Sequence, residues 1–599
     1  MTALTRPQLA AWGASFACAM AWVAFQVWLL PLRWLNPDEG AHLMDARLAM
    51  EGLVPLVDYG ARQPLYVYAY VPFLKYFGMD YLSGRLMPMA ATLLAAGILY
   101  AIGRRVAGWG VGLASALWYL SSPTMLVDAP VVKTEPLAIV VMALGMYALL
   151  AHLERGRWLP LALSGAAFGA GYYIRESTLA GALTAALMAL AAAGRDGWVR
   201  TVKRWVVLTA GYAATCAAVM LWYSRRLPLA EILVNSAFSP FFRVMKSLQR
   251  IAGWWPSAPA IEPSAPSAAS AISAVSAWTG ETSLPLKSVV RNLQEVLLLN
   301  APLVFGLIAG IVLLVWLSRK HPGRKDSAGE RTGLLLAILW VVSLAVLYTY
   351  HALTKSFYQF YFREFIPPLA LALALVLRRL APEAHRDAAL VGMTVCGIAA
   401  GLGVFVLQRL WPNHGAWHAA ALVGAAGWAS FRSTRPRPQA VVRFLGLGSI
   451  GAALVAAMTL GARALKPAYD CVWSPEALQR VTEMVRQHSA ESDEVISGAV
   501  IWEFEAGRRP FMNISHPLAY LYEMDRGTIE GILQRLAANP PKLVVMDGYT
   551  ERTYLRHLPQ LQTLVDTRYT LVGEATDSKR PVRVYVLAGA GSLAAKSSE

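Results

Sequence analysis

Cysteine is scarce and scattered: Cys18, Cys216, Cys396 and Cys471 are the whole complement in 599 residues. Three of them lie in apolar runs, and no spacing fits a metal cluster or a disulfide framework. Charge is sparse as well. Asp, Glu, Lys and Arg make up 15% of the chain, against about 25% in a soluble protein, which excludes an ordinary water-soluble globule. No sustained internal repeat is visible, which argues against the inverted-repeat build of many transporters. No small-residue cleavage site follows the first apolar run, 9–30. That run is expected to persist as an uncleaved membrane helix rather than a signal peptide.

What is abundant points the same way. The chain is 56% apolar with mean hydropathy +0.43, and it carries 20 Trp and 24 Tyr, residues that favour water–lipid boundaries. Net charge is +17. The excess sits in short loops between apolar runs, as membrane orientation requires, so nucleic-acid binding is not the reading it supports.

Runs of spanning or near-spanning length fall at 9–30, 87–103, 107–121, 134–152, 158–174, 177–193, 205–223, 293–317, 332–350, 366–380, 388–408, 416–431 and 443–462. The fold class expected is a polytopic α-helical membrane protein of about thirteen transmembrane helices with a C-terminal α/β extracytoplasmic domain. Residues 1–465 form the transmembrane part and 466–599 the soluble part, where charge density rises and the two signs nearly balance. Basic clusters from Arg104-Arg105 to Arg432–Arg443 fall on alternate loops, which assigns them to the cytoplasm. The loops 31–86, 224–290 and 351–365 then face outward. Within them, 31–86 is expected to contain short interfacial helices, and the Pro/Ala/Ser-rich stretch 253–280 to act as a linker or lid. In the C-terminal part, Pro475–Ala490, Thr528–Ala538 and His557–Asp566 read as helices. Glu494–Ile501 and Lys542–Asp547 read as strands, and Tyr569–Glu574 with Val582–Leu587 as a closing hairpin.

The candidate site begins at Asp38 and Glu39, just after the first run. Adjacent carboxylates serve as general base, as metal ligands or as a solvated loop cap. The apolar, aromatic loop around them favours the first, because low dielectric raises a carboxylate's proton affinity. Opposite them stand cations that the positive-inside pattern would not place outside: Arg62, Arg85, Lys133, Arg175, Arg225, Arg243, Lys355 and Arg363. Arg clamps phosphate in bidentate fashion and Lys acts as a point charge. Snorkelling toward lipid headgroups accounts for some of them. Glu135, opening the fourth run, is a third candidate acid, with helix capping as its competing reading.

These residues resemble a known family. Asn36-Pro37-Asp38-Glu39 is similar to the acidic motif of the polytopic C-type-fold glycosyltransferases, in the branch of protein O-mannosyltransferases and bacterial aminoarabinose transferases. Tyr59–Leu65 resembles that branch's Lys-Pro-Pro-Leu segment, and Ser83–Leu86 the Arg that opens the second span. Lys133–Leu137 resembles the acidic position opening the fourth span, more often Asp, and Tyr361–Pro368 the Arg-Tyr-x-x-Pro stretch before a late span. Gln63 stands where a cation is usual, which moves the expected phosphate contact to Arg62. The resemblance implies transfer of a sugar from a polyprenyl-phosphate donor to a lipid, glycan or protein acceptor at the outer face of the cytoplasmic (inner) membrane. Asp38 would be the base, Glu39 and Glu135 its companions, and the outward cations the phosphate ligands. It implies no covalent sugar–enzyme intermediate. No dedicated metal cage is visible, although relatives differ in divalent-metal use. The alternative is a multi-pass transporter or flippase of a lipid-linked or anionic substrate.

Overall fold

The computed structural model describes residues 6–61, 63–234, 237–241, 286–320, 325–354, 359–381, 386–395, 398, 471–517 and 526–588. Helix α1 is Arg6–Leu29, and two short helices, α2 (Pro37–Met50) and α3 (Leu65–Phe77), occupy the connection to α4 (Tyr81–Ala107). Then follow α5 (Trp109–Ser121), α6 (Pro123–Asp128), α7 (Glu135–Arg155), α8 (Trp158–Tyr172) and α9 (Leu179–Ala191). Further helices run over Trp198–Tyr223, Ala301–Lys320, Lys325–Thr354 and Ile366–Leu380.

Among the described residues, seven helices are long and apolar enough to cross a membrane. At about 1.5 Å per residue, the 13-residue α5 falls short of a ~30 Å hydrocarbon core. Ser122 then caps α6 by accepting from the Met125 amide, with Pro123 in its first turn. Close helix packing depends on small residues. A Cβ at Gly165 would lie 2.0 Å from the carbonyl oxygen of Leu208, and one at Gly211 2.1 Å from that of Ala162. Glycine at both positions lets α8 and Trp198–Tyr223 approach backbone to backbone.

Two expectations change in detail. The run 293–317 is not one helix but two, Leu286–Leu299 and Ala301–Lys320. The break is at Asn300, whose amide donates to Thr124 Oγ1 at 2.7 Å and to the carbonyl of Val296 at 3.0 Å, and Pro302 then opens the next helix. The second span begins at Tyr81 rather than 87, because Asp80 caps it by accepting from the Ser83 amide. The runs 416–431 and 443–462, and most of 388–408, lie outside the described residues, as does 253–280.

The C-terminal region forms a five-stranded mixed sheet: β1 (Glu494–Ser497), β2 (Arg509–Pro510), β3 (Leu543–Met546), β4 (Tyr569–Ala575) and β5 (Val582–Leu587). Their order is β2-β1-β3-β5-β4, with β1 parallel to β2 and β3, and β5 antiparallel to β3 and β4. Strand β1 ends at Ser497, short of the expected Ile501. Val500 takes a left-handed φ of 57° there, and the chain turns into the helix Ile501–Ala506.

This sheet is fastened to α2. Leu35 and Trp473 form a bridge, with Leu35 N–H donating to the Trp473 carbonyl at 2.8 Å. A Cβ at Gly40 would meet Ile501 N at 2.3 Å, so only glycine lets the two backbones touch here. Arg47 donates to the carbonyls of Gly507 and Arg508. One hydrophobic core accordingly runs from the membrane helices through Leu35, Trp473 and Trp502 to Val545.

Four carboxyls in this non-spanning region carry a pH signature. Burial pushes Glu503 up to about 8, and Asp45 and Glu505 up to about 7, and it raises Asp547 as well. The folded chain therefore holds protons that the unfolded chain has released above pH ~4. Their contribution to stability is full below that pH and is lost as pH rises through 7 to 8. Thermal unfolding of the detergent-solubilised protein should show a higher midpoint at pH 5.5 than at pH 8.5; the opposite order would contradict these environments.

Candidate active site

The Asn-Pro-Asp-Glu motif is first a helix start. Asn36 accepts from the Asp38 amide at 3.0 Å, Pro37 occupies the first turn, and Glu39 Oε1 accepts from the Asn36 amide at 2.8 Å, completing a capping box. This geometry sends the two adjacent carboxylates to different places. Asp38 keeps 31% of its side chain exposed, whereas Glu39 is fully buried.

Glu39 and Arg85 are committed to each other. The guanidinium meets both carboxylate oxygens at 2.9 Å, and its remaining N–H groups go to the carbonyls of Leu30, Arg33 and Trp34 at the end of α1. All five donors are used. Val132 N–H adds a further bond to Glu39 at 3.3 Å. This corrects two expectations: Arg85 has no donor left for a phosphate, and Glu39 no exposed oxygen for an acceptor. Both hold α1, α2, α4 and the 128–135 turn together.

Asp38 instead meets Lys133, with Nζ 3.2 Å from Oδ2. Lys133 is nearly buried, its ammonium lies 3.2 Å from the Phe360 ring centroid, and its carbonyl accepts from the Tyr70 hydroxyl at 2.8 Å. Beside this pair are two charge groups of opposite balance. In one, Arg33 and Arg363 share a single carboxylate, Asp128, at 2.7 and 3.7 Å. In the other, Arg175 serves two carboxylates, Glu135 at 3.0 Å and Glu364 at 2.9 Å, while the Ser177 hydroxyl donates to Glu364. Adjacent Arg363 and Glu364 thus point into groups of opposite sign.

Arg363 is the unusual member. Its side chain is 1% exposed, yet among the described residues Nε and both terminal nitrogens make no hydrogen bond. A buried guanidinium with unused donors is costly unless an anion meets it. Residues Asp38, Lys133, Glu135, Arg175 and Arg363 are therefore brought to one end of the bundle. The opposite end carries the pairs Arg105–Glu154, Arg204–Asp196 and Arg378–Glu330. Arg225 lies in an exposed turn after Tyr223 and makes no ion pair among the described residues. Arg62, Arg243 and Lys355 lie outside the described residues. No group of three or more His, Cys, Asp or Glu side chains suited to a metal occurs among those described.

Sequence reasoning passed over Arg33 and gave no role to Asp128 or Glu364. Their significance lies in partners about 95 and 187 residues away, which no local pattern reveals.

Residues 61–222 match the model of the dolichyl-phosphate-mannose-protein mannosyltransferase family. No curated protein sequence matches the chain. Among solved structures, ArnT from Cupriavidus metallidurans in the apo state is 17% identical with a TM-score of 0.52, over 97% of this chain and 99% of that one. The same protein bound to undecaprenyl phosphate is 18% identical with a TM-score of 0.54, over 96% and 99%. The expected resemblance, to C-type-fold polytopic glycosyltransferases of the mannosyltransferase and ArnT-like branch, thus holds in a family match to residues 61–222 and in a fold shared along nearly the whole chain.

Proposed function

We propose that this protein is a membrane glycosyltransferase that moves a sugar from a polyprenyl-phosphate donor to an acceptor at the outer face of the cytoplasmic membrane. Asp38 is the general base, and Arg363, with Lys133 and Arg175 nearby, receives the lipid phosphate. The observation that carries this reading is the buried, hydrogen-bond-deficient Arg363 guanidinium at the same bundle end as the partly exposed Asp38 carboxylate. Support also comes from the relative of shared fold, which is described as bound to undecaprenyl phosphate.

In the reaction, the acceptor's O–H or N–H proton passes to Asp38 as its heteroatom attacks the anomeric carbon. The bond from that carbon to the phosphate oxygen breaks, and the electron pair leaves with the lipid phosphate. Guanidinium donors aimed at that oxygen in a water-poor site stabilise the developing charge. Lys133 holds and orients Asp38 through their ion pair, with Nζ 3.2 Å from Oδ2. Holding two membrane-borne reactants in register supplies much of the remaining rate gain.

Arg363→Ala tests the phosphate role. Charge-assisted hydrogen bonds are worth about 1.5–3 kcal/mol, so affinity for polyprenyl phosphate should fall roughly 10- to 100-fold in titration of the purified protein. Unchanged affinity would remove Arg363 from the donor site.

A further inference from the structure

Helix α2 carries an acid that the transfer chemistry does not use. Asp45 lies two turns beyond Asp38 and is fully buried among three separate elements. The Tyr66 hydroxyl of α3 donates to Oδ2, and the Ser515 hydroxyl of the C-terminal region lies 2.5 Å from Oδ1. From the α2–α3 connection, the Tyr59 hydroxyl donates to the Asp45 carbonyl at 2.8 Å. Ser515 Oγ also lies 3.1 Å from the carbonyl oxygen of Gly60.

A serine hydroxyl carries one proton, so Ser515 serves Asp45 or Gly60 but not both. Protonation of Asp45 resolves the conflict. The carboxyl then donates to Ser515 Oγ, and the Ser515 proton is released to the Gly60 carbonyl. Ionised Asp45 claims the Ser515 proton, and Gly60 loses that donor.

We infer that Asp45 and Ser515 are positioning residues forming a proton-dependent latch, which ties the α2–α3 connection to the C-terminal region when Asp45 is protonated and releases it on ionisation. The connection is the part free to respond, because α2 is fixed against Ile501 at Gly40. Burial pushes the Asp45 carboxyl up to about 7 against the lowering effect of the two hydroxyls, which sets the switch near neutrality. The titratable groups on the elements packed around it are Tyr66 from α3 and Tyr59 from the connection, which bond to Asp45, and, beyond Tyr66, His42 of α2 and His516 of the C-terminal region. The His42 ring lies 4.8 Å from that of Tyr66 and 5.7 Å from that of His516. Asp58, Tyr68 and Tyr223 act in turn on Tyr59. The purpose of the latch rests on the proposed sugar transfer: the connection belongs to the motif segment 59–65 expected to meet the donor.

Hydrogen–deuterium exchange of the full-length protein in detergent, corrected for intrinsic rates, tests it at pH 6 and pH 8. Wild type should protect the 53–61 segment about tenfold more at pH 6, the worth of one hydrogen bond. Asp45→Asn, whose amide donates to Ser515 at every pH, should hold the protected state at both. Ser515→Ala should show the unprotected state at both. Histidine's ordinary range overlaps this window, and the asparagine variant, which keeps both histidines, separates their contribution. Equal protection of wild type at the two pH values would overturn the latch, as would an asparagine variant that keeps the wild-type difference. Should Asp45→Asn fail to fold, wild type and Ser515→Ala still decide. In a transfer assay the donor KM should rise from pH 6 to pH 8 in wild type and stay flat in Asp45→Asn. An exchange switch without any sugar transfer would keep the latch and overturn the proposed function; transfer without the switch would do the reverse.

Discussion

Asp38→Asn is expected to lower sugar transfer by roughly 10²- to 10⁴-fold, the range over which a positioned general base contributes. The substitution is nearly isosteric. Its amide oxygen can still accept from Lys133, and the helix cap uses the Asp38 backbone N–H rather than its carboxylate. Folding should therefore survive. Donor affinity should hold or tighten, because Lys133 no longer faces an anion and its positive charge is open to the lipid phosphate. The informative comparison is turnover against donor binding. Loss of turnover with donor binding retained identifies the base. Loss of donor binding with turnover retained at saturation would mean that Asp38 only organises Lys133.

Arg85→Ala should act on a different quantity. It leaves Glu39 buried without a counter-charge and opens the carbonyls of Leu30, Arg33 and Trp34. Breaking a buried pair from one side costs about 3–5 kcal/mol, a large part of the 5–15 kcal/mol typical of whole domains. The expected result is loss of monodisperse protein in size-exclusion chromatography, before any kinetic effect can be measured. Arg85→Lys should recover little, since an ammonium has three donors and no planar fork to match the carboxylate. Glu39→Gln combined with Arg85→Met should fold better than Arg85→Ala alone, because the stranded charge is gone. If Arg85→Ala folds normally and loses only donor affinity, Arg85 is a ligand after all, as its sequence position suggested.

Arg85 shows where the sequence stops being informative. Hydropathy identifies the helix that carries it, and the Ser-Gly-Arg-Leu context marks the residue as noteworthy. Neither says that the guanidinium turns back onto Glu39, 46 residues earlier. The apolar runs among the described residues and the strands β1, β3, β4 and β5 were legible because both are local patterns, of composition in one case and of apolar runs bounded by turn residues in the other. The break at Asn300 was not, since an apolar run on both sides hides a single polar residue whose partner, Thr124, is 176 positions away. The same holds for Asp45 and Ser515, which are separated by 470 residues. Adjacent residues also diverged. Asp38 and Glu39 look like a pair, yet the first turn of a capped helix rotates one toward Lys133 and the other into the core. Arg363 and Glu364 part in the same way. Chemistry in this chain depends on rotation about helix starts, and residue type alone does not encode that.

The most direct test uses purified protein in lipid vesicles, a polyprenyl-phosphate sugar and a membrane extract as acceptor. Released polyprenyl phosphate and acceptor-bound sugar are followed together. Equal release of the two by wild type, and neither above background by Asp38→Asn, is the predicted result. Passage of the intact donor across the vesicle with no transfer, or an asparagine variant as active as wild type, would contradict it.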